Sequence, residues 1–104
     1  MPKSKQRPVS PGEVLREQLD ELGMSANALA TALRVPTNRI TGILNATRGL
    51  TPETALRLER YFTGKTAQFW LNLQTGFDLR RAEVSEAKAL LDIQPLKVAL
   101  RRKA

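Results

Sequence analysis

Apolar residues recur at the three- and four-residue spacing of one helix face in five successive segments of the chain. No segment alternates between apolar and polar positions as a half-buried strand does, so the pattern predicts an all-α protein with five helices. The predicted inward positions are Leu15, Leu19 and Leu22; Leu29, Ala30 and Leu33; Ile40, Ile43 and Leu44; Ala55, Leu58, Tyr61 and Phe62; and Phe69, Trp70, Leu73 and Phe77.

Capping residues predict where these helices begin. Ser10, Pro11 and Glu13 match a capping box, with an N-cap hydroxyl, Pro at the first helical position and an acid three residues beyond the cap. Hydroxyl residues and prolines mark the later starts in the same way. The other predicted starts are Ser25, Thr37, Thr51 and Thr66.

Glycines and prolines predict where the helices end. Gly23 suits the left-handed residue that ends the first helix, and Pro36 excludes helical geometry at the residue before it. The third helix is expected to end within residues 45–49 and the fourth at Gly64. The long fifth helix is expected to reach about Leu91, with Gly76 as its weak point.

The second and third predicted helices have the spacing of a helix-turn-helix, in which two helices cross steeply after a short turn. The close crossing needs a small residue, which Ala30 supplies, and the turn usually contains a residue with positive φ, most readily Gly. Arg34 falls at that turn position, where a left-handed backbone costs about 1 kcal/mol. The alternative interpretation is an ordinary helical bundle that does not recognise bases in a DNA groove. The flanking apolar positions that the motif needs are Leu29, Leu33, Val35, Ile40 and Ile43.

The formal net charge of +7 lies at the two ends of the chain. Residues 1–11 carry three basic residues and no acid, residues 94–104 carry four, and residues 12–93 balance ten basic residues with ten acids. We therefore predict a basic arm over residues 1–10, a helix-turn-helix domain over 11–93 and a basic tail over 94–104. The arm and tail either strengthen DNA binding by releasing counterions or wrap a protein partner.

The composition argues against an enzyme. The chain has no Cys and no His, which removes thiolate nucleophiles, the commonest general base and the commonest metal ligands. No apolar run approaches the ~18–20 residues of a membrane span, and no apolar stretch follows the basic N-terminal residues as in a secretory signal. We expect a cytoplasmic binding protein with no catalytic residue, metal or cofactor.

The first exposed residues of a recognition helix reach base edges in the major groove. We therefore predict base contacts from Thr37, Asn38 and Thr41, and from Arg39 to a guanine edge or a phosphate. Gly42 is expected on the groove-facing side, where its missing side chain either permits close backbone approach or weakens readout.

Four segments of the chain together resemble the HigA-type antitoxins of the Xre/Cro helix-turn-helix proteins, over residues 11 to about 83. The resemblance implies a lambda-repressor-like fold, a homodimer that binds operator DNA and represses its own operon, and a small HigB-like toxin partner of the RelE superfamily, which cleaves mRNA. The toxin would be neutralised by direct binding. The segments are Pro11-Gly12-Glu13-Val14-Leu15, residues 25–35, residues 44–52 and Phe69-Trp70-Leu71-Asn72-Leu73-Gln74.

The resemblance also implies that Asn45, Thr47 and Arg48 form the loop that contacts DNA phosphates. Ser25 and Asn27, at the start of the second helix, can hold a phosphate because free amides and the helix dipole point there. The apolar positions of the last helix are expected in the core or at a dimer interface. These are Phe69, Trp70, Leu73 and Phe77.

Two alternatives use the same fold. One is a solitary Xre-family transcriptional regulator that has no toxin. The other is a protein-interaction module with weakened DNA binding, which Arg34 at the turn and Gly42 on the recognition helix would favour. The acidic first helix is a third surface, beside the arm and the tail, on which a cationic toxin could dock.

Overall fold

The computed structural model describes residues 9–97, which contain six α-helices and no strand. The all-α, helix-turn-helix prediction is confirmed. Residues 1–8 and 98–104, which hold most of the expected basic arm and tail, lie outside the described residues. No helix among residues 9–97 is long and apolar enough to cross a bilayer. The helices are α1 (Pro11–Leu22), α2 (Ala26–Leu33), α3 (Thr37–Leu44), α4 (Pro52–Tyr61), α5 (Ala67–Ser85) and α6 (Ala87–Leu91).

Side-chain hydroxyls cap four helices at the predicted residues. Ser10 accepts a hydrogen bond from the Glu13 amide at 3.3 Å, and Ser25 accepts one from the Ala28 amide at 3.0 Å. Thr51 and Thr66 cap α4 and α5 in the same way, at 3.4 and 3.0 Å. Each cap satisfies one of the amides that the first turn of a helix leaves without a partner.

Left-handed residues end α1 and α2, as the sequence predicts. Gly23 has φ 65° and Arg34 has φ 62°, so the turn of the helix-turn-helix keeps its usual geometry without a glycine. The Val35 amide donates to the Ala30 carbonyl at 3.0 Å and closes the end of α2. Arg34 therefore keeps the motif's geometry at the cost of backbone strain.

The core lies where α2 and α3 cross, where α1 packs against α3 and α5, and where α4 packs against α2 and α5. Ala30, only 1% exposed, is the small residue that lets α2 and α3 approach closely. Trp70 is fully buried and brings the first half of α5 into the same core. The buried apolar residues are Leu15, Leu19, Leu29, Ala30, Leu33, Ile40, Ile43, Leu50, Ala55, Leu58, Phe62 and Trp70.

Gly12 permits the closest contact between α1 and α3. A Cβ at this position would overlap the Ile43 carbonyl oxygen and would lie 2.8 Å from the Leu44 carbonyl oxygen. Both are backbone atoms at the end of α3, so neither can move aside as a flexible side chain would. In the sequence Gly12 stands out only as part of a segment that carries the family resemblance, and its packing role appears in the structure.

Two residues predicted to face inward are instead exposed. Leu22 is 56% exposed because it lies in the last turn of α1, beyond the edge of the core. Tyr61 is 42% exposed at the end of α4, where its ring packs edge-on against Phe62 and its hydroxyl donates to the Met24 sulfur. The fourth helix also ends at Tyr61, three residues before Gly64, because Phe62 turns into the core in an extended conformation.

The last long helix ends earlier than predicted. Gly76 lies inside α5 without interrupting it, and the break falls at Glu86, between α5 and the short α6. The Ser85 hydroxyl donates to the Ala82 carbonyl at 3.4 Å, a local bond that competes with the helical hydrogen-bond pattern and favours a helix end. Gly76 lowers helix propensity but offers no such alternative.

Candidate nucleic-acid interface

The first residues of α2 and α3 are joined directly. The Thr37 hydroxyl, at the start of α3, donates to the Asn27 side-chain oxygen, near the start of α2, at 2.7 Å. Ser25 caps α2 beside this pair, and the Thr31 hydroxyl donates to the Asn27 carbonyl at 3.0 Å. The predicted base contact Thr37 and the predicted phosphate contacts Ser25 and Asn27 therefore lie together at one end of the motif.

The two faces of α3 differ sharply. Ile40 and Ile43 face the core, and they are 0% and 3% exposed. Thr37 and Asn38 are exposed on the outer face, while Arg39 and Thr41 are half-buried. The Thr41 hydroxyl donates to the Asn38 backbone carbonyl at 3.4 Å, and the Asn38 side-chain amide has no protein partner among the described residues. An exposed side-chain amide with no partner in the protein can form the paired hydrogen bonds by which Asn recognises adenine.

The loop after α3 folds back onto the last turn of that helix. The Thr47 and Arg48 amides both donate to the Gly42 carbonyl, at 2.9 and 3.1 Å, and the Thr47 hydroxyl also approaches it at 3.4 Å. Ala46, in the middle of the loop, has φ 60°. Asn45, Thr47 and Arg48 are exposed, so the loop presents the three predicted phosphate contacts to solvent.

Gly42 lies under the side chain of Arg48. A Cβ on Gly42 would lie 2.9 Å from the Arg48 Cβ, which is too close for two such atoms. Gly42 was predicted on the groove-facing side, where its missing side chain permits close backbone approach or weakens readout; in the structure the Arg48 side chain occupies the space beside it. Gly42 thus allows the loop, with its arginine, to pack on α3.

The positive charges of this region have no carboxylate partners. Within residues 9–97, no acidic side chain forms an ion pair with Arg34, Arg39 or Arg48. Arg39 and Arg48 lie on α3 and on the loop that folds back on it. Unpaired guanidinium groups beside exposed polar side chains are suited to phosphate groups, which they bind through paired hydrogen bonds.

The predicted apolar positions of α5 have different surroundings. Trp70 is fully buried in the core of its own chain, so its side chain is not available to a second copy. Phe69 and Leu73 are half-buried and pack against that core. Phe77 is half-buried and lies against the Arg81 guanidinium, 5.2 Å from ring centroid to guanidinium carbon.

Three residues that the sequence analysis gave no role support the interface. Arg57, on α4, donates from Nη1 to the Leu33 carbonyl at 2.8 Å and so gives a carbonyl at the end of α2 a hydrogen-bond partner. Gln74 accepts a hydrogen bond from the Leu50 amide at 2.7 Å, next to the loop after α3. Ala46 carries a left-handed backbone that no residue type signals in advance. Gln74 and Ala46 each lie in a segment that carries the family resemblance, and Arg57 lies in none of them.

Comparison with known proteins agrees with this geometry. A family model described as Helix-turn-helix matches residues 15–69. Virulence-associated protein I of Dichelobacter nodosus is 55% identical over 76 residues, which cover 72% of this chain and 69% of the relative. Antitoxin HigA-1 of Vibrio cholerae is 39% identical and is matched over 98% of its length by the whole chain.

Solved structures give the same result. An addiction module antidote protein of the HigA family from Coxiella burnetii is 48% identical, with a TM-score of 0.81 over 86% of this chain and 99% of that one. The Pseudomonas aeruginosa antitoxin HigA, solved with the higBA promoter, is 41% identical, with a TM-score of 0.82 over 86% of this chain and 99% of that one. This chain therefore belongs to the helix-turn-helix family and, within it, to the HigA-type antitoxins.

Proposed function

We propose that this protein is an antitoxin that binds operator DNA as a homodimer, represses its own operon and neutralises a RelE-like toxin by direct binding. The observation that carries the DNA-binding part is the split of α3 into a buried and an exposed face. Ile40 and Ile43 hold the helix on the core, while Thr37 and Asn38 project from its first turn. The HigA relative solved with its promoter supports the same mode of binding.

Base readout is assigned to Thr37, Asn38, Arg39 and Thr41. Asn38 is the residue on which specificity depends most, because its amide is exposed and has no protein partner among the described residues. Thr37 contributes through its methyl group, since its hydroxyl is already bonded to Asn27. Arg39 reaches a guanine edge or a phosphate.

Phosphate contacts are assigned to both ends of the motif. Asn45, Thr47 and Arg48 contact the backbone from the loop after α3, and Ser25 and Asn27 contact it from the start of α2. Contacts of this kind fix the register of a protein on DNA without reading its sequence. The exposure of all five residues supports this assignment.

The homodimer is assigned to the outer half of α5 and to α6. Large apolar side chains are exposed from the outer half of α5 to residue 97, and this segment carries both carboxylates and cations, so two antiparallel copies can pair opposite charges across a two-fold axis. The sequence prediction left Phe69, Trp70, Leu73 and Phe77 either in the core or at a dimer interface, and the surface proposed here lies beyond them along the chain. The exposed apolar residues are Leu79, Val84, Leu90, Leu91, Ile93 and Leu96.

Titration of the DNA directly upstream of the gene, followed by fluorescence anisotropy, tests the DNA-binding part. Asn38→Ala should weaken binding to this DNA by about tenfold or more and leave binding to unrelated DNA unchanged, because it removes a base contact and no bond within the protein. Gln68→Ala, an exposed change in the first turn of α5, is the matched control. Equal loss on both DNAs would contradict the assignment of base readout to Asn38.

The toxin partner needs a separate test. The family is one of DNA-binding regulators, and we propose no catalytic step; neutralisation is the capture of a partner in the cytoplasm. Co-expression with the product of the neighbouring small reading frame should give a stable complex and relieve its toxicity. If no neighbouring product binds, the protein is a solitary transcriptional regulator and the antitoxin part of the proposal is wrong.

A further inference from the structure

We propose that Gln74, on α5, is a positioning residue that holds the loop of residues 45–50 in the conformation that contacts DNA phosphates. The inference rests on the proposed DNA-binding function and adds a residue that does not itself touch DNA. It also connects the loop to the proposed dimer surface, because Gln74 and part of that surface lie on the same helix, α5.

Gln74 bonds at both ends of its side-chain amide. Its oxygen accepts a hydrogen bond from the Leu50 amide at 2.7 Å, across 24 residues of sequence, and its nitrogen donates to the Asp78 carboxylate at 2.9 Å. A carboxylate can only accept, so Asp78 fixes which end of the Gln74 amide faces the loop. Without Asp78 the amide could turn and present its nitrogen to the Leu50 N–H, which would repel it.

The loop depends on support from outside itself. Residues 45–49 are exposed, and Ala46 holds a left-handed backbone, which is strained for a residue that carries a Cβ. The loop's own bonds lie at its first half, where Thr47 and Arg48 donate to Gly42. At its second half, Leu50 is 5% exposed and its amide would be buried without a partner if Gln74 were absent.

Gly49, next to Leu50, brings the loop backbone close to the Gln74 side chain. A Cβ on Gly49 would lie 3.7 Å from the Gln74 amide carbon and nitrogen, which is van der Waals contact. A polar cleft of about 360 Å³ separates the rest of the loop from α5, and its lining includes Arg48, Gln74 and Arg81. Gln74 is therefore the point where α5 and the loop meet, between the last predicted phosphate contact and the start of α4.

The test compares Gln74→Met with Gln68→Met. Both remove the donor of a side-chain hydrogen bond between residues four apart on α5, since Gln68 donates to Asn72 at 2.9 Å, but only Gln74 bonds to the loop. Gln74→Met should lower affinity for the upstream DNA by about tenfold and reduce the slope of log affinity against log salt by about one phosphate contact. Gln68→Met should change neither.

A paired variant separates positioning from damage to the fold. In Gln74→Glu/Asp78→Asn, the carboxylate at position 74 accepts from the Leu50 amide, and the side-chain amide at position 78 donates to that carboxylate. Both hydrogen bonds are therefore restored, with the carboxylate and the amide exchanged between the two positions. This double variant should recover affinity and salt slope, whereas Gln74→Glu alone places two carboxylates side by side and should not. Failure of the double variant to improve on Gln74→Glu would overturn the proposal.

Hydrogen exchange in the free protein gives a readout that needs no DNA. The Leu50 amide should exchange at least about tenfold faster in Gln74→Met than in the unchanged protein, with the Thr47 and Arg48 amides also faster, because local opening of the loop becomes easier. If the upstream DNA is not bound at all, the proposed function fails and the exchange experiment still decides the role of Gln74. Unchanged exchange at Leu50 would show that Gln74 does not hold the loop.

Discussion

The two halves of α5 lie in opposite environments. In the first half, Trp70 is fully buried and Phe69 and Leu73 pack against the core. From residue 81 to residue 97 every residue is exposed, including Val84 and Leu91, each at 79%. The chain thus passes from the core, at the start of α5, to exposed apolar side chains at the end of α5, on α6 and on the residues that follow. We therefore expect folding to depend on the first half of α5 and the proposed dimer to depend on the segment after it.

We call residues 81–97, which are all exposed, the uncovered region, and the helices that form the core before them the packed region. The proposed DNA interface lies in the packed region. α3 is held by Ile40 and Ile43, its N-terminus by the bond from Thr37 to Asn27, and its following loop by Gln74. In the part of the chain that the structure describes, no side-chain hydrogen bond or ion pair joins residues 81–97 to these residues. We therefore expect substitutions in the packed region to change stability, and substitutions in the uncovered region to change assembly and, through it, operator affinity.

The largest expected effect is on folding stability, at Leu58. Leu58→Ala should lower the free energy of unfolding by about 2–5 kcal/mol, because the side chain is fully buried and its loss leaves a cavity. Leu91→Ala should change it by no more than about 0.5 kcal/mol in dilute protein, since that side chain is 79% exposed. Urea unfolding measures both values. Leu56→Ala, on α4 beside Leu58 and 59% exposed, is the control.

The next effect is on assembly. Val84→Asp/Leu91→Asp should convert a dimer to a monomer in analytical ultracentrifugation, because two charges would be buried in the proposed apolar contact. Affinity for the complete operator should fall by about 100-fold, since the two half-sites are no longer bound together, while affinity for one half-site stays the same. A variant that remains dimeric would place the dimer contact elsewhere on the molecule.

The third effect contrasts two glycines. Gly12→Ala should lower the free energy of unfolding by about 1–3 kcal/mol, because the added methyl overlaps backbone atoms at the end of α3. Gly76→Ala, on α5, should raise it by about 0.5–1 kcal/mol, because nothing lies within 4 Å of the new Cβ and Ala favours a helix. Thermal unfolding of the two variants measures the difference. A gain in stability at Gly12 would show that α1 and α3 are not so closely packed.

Much of the fold follows from short stretches of sequence. The caps at Ser10, Ser25, Thr51 and Thr66 were predicted because each depends on residues within one turn. The left-handed residue at Arg34 was predicted in spite of its side chain, because the spacing of the motif leaves the turn no other place. Local rules of this kind also set the apolar face of α3, on which the site depends.

Features that depend on distant contacts were missed. Gln74 bonds to a residue 24 positions earlier, and Gly12 owes its role to carbonyl groups on α3, so neither can be recognised from its neighbours in sequence. Leu22 and Tyr61 were misplaced for the same reason, since periodicity gives the direction of a side chain but not the extent of the core. The sequence left the apolar positions of the last helix between the core and a dimer interface, because an apolar position looks the same whether its own chain or a second copy covers it.

The smallest expected effect comes from the strain of left-handed backbone at residues other than glycine. Within residues 9–97, the residues other than glycine with positive φ are Arg34 and Ala46, and both precede α4. Arg34→Gly should raise the free energy of unfolding by about 0.5–1 kcal/mol, because relief of the left-handed strain exceeds the entropy that glycine adds to the unfolded chain. Ala46→Gly should act in the same direction.

Ala32→Gly provides the matched control for Arg34→Gly. Ala32 is exposed and lies two residues earlier, inside α2, where φ is helical, so glycine should cost about 1 kcal/mol there. Urea unfolding of the free protein keeps any effect on DNA contacts out of the measurement. If Arg34→Gly destabilises the protein as much as Ala32→Gly does, contacts of the arginine side chain outweigh its backbone strain, and the turn is held by that side chain as well as by the apolar residues around Ala30.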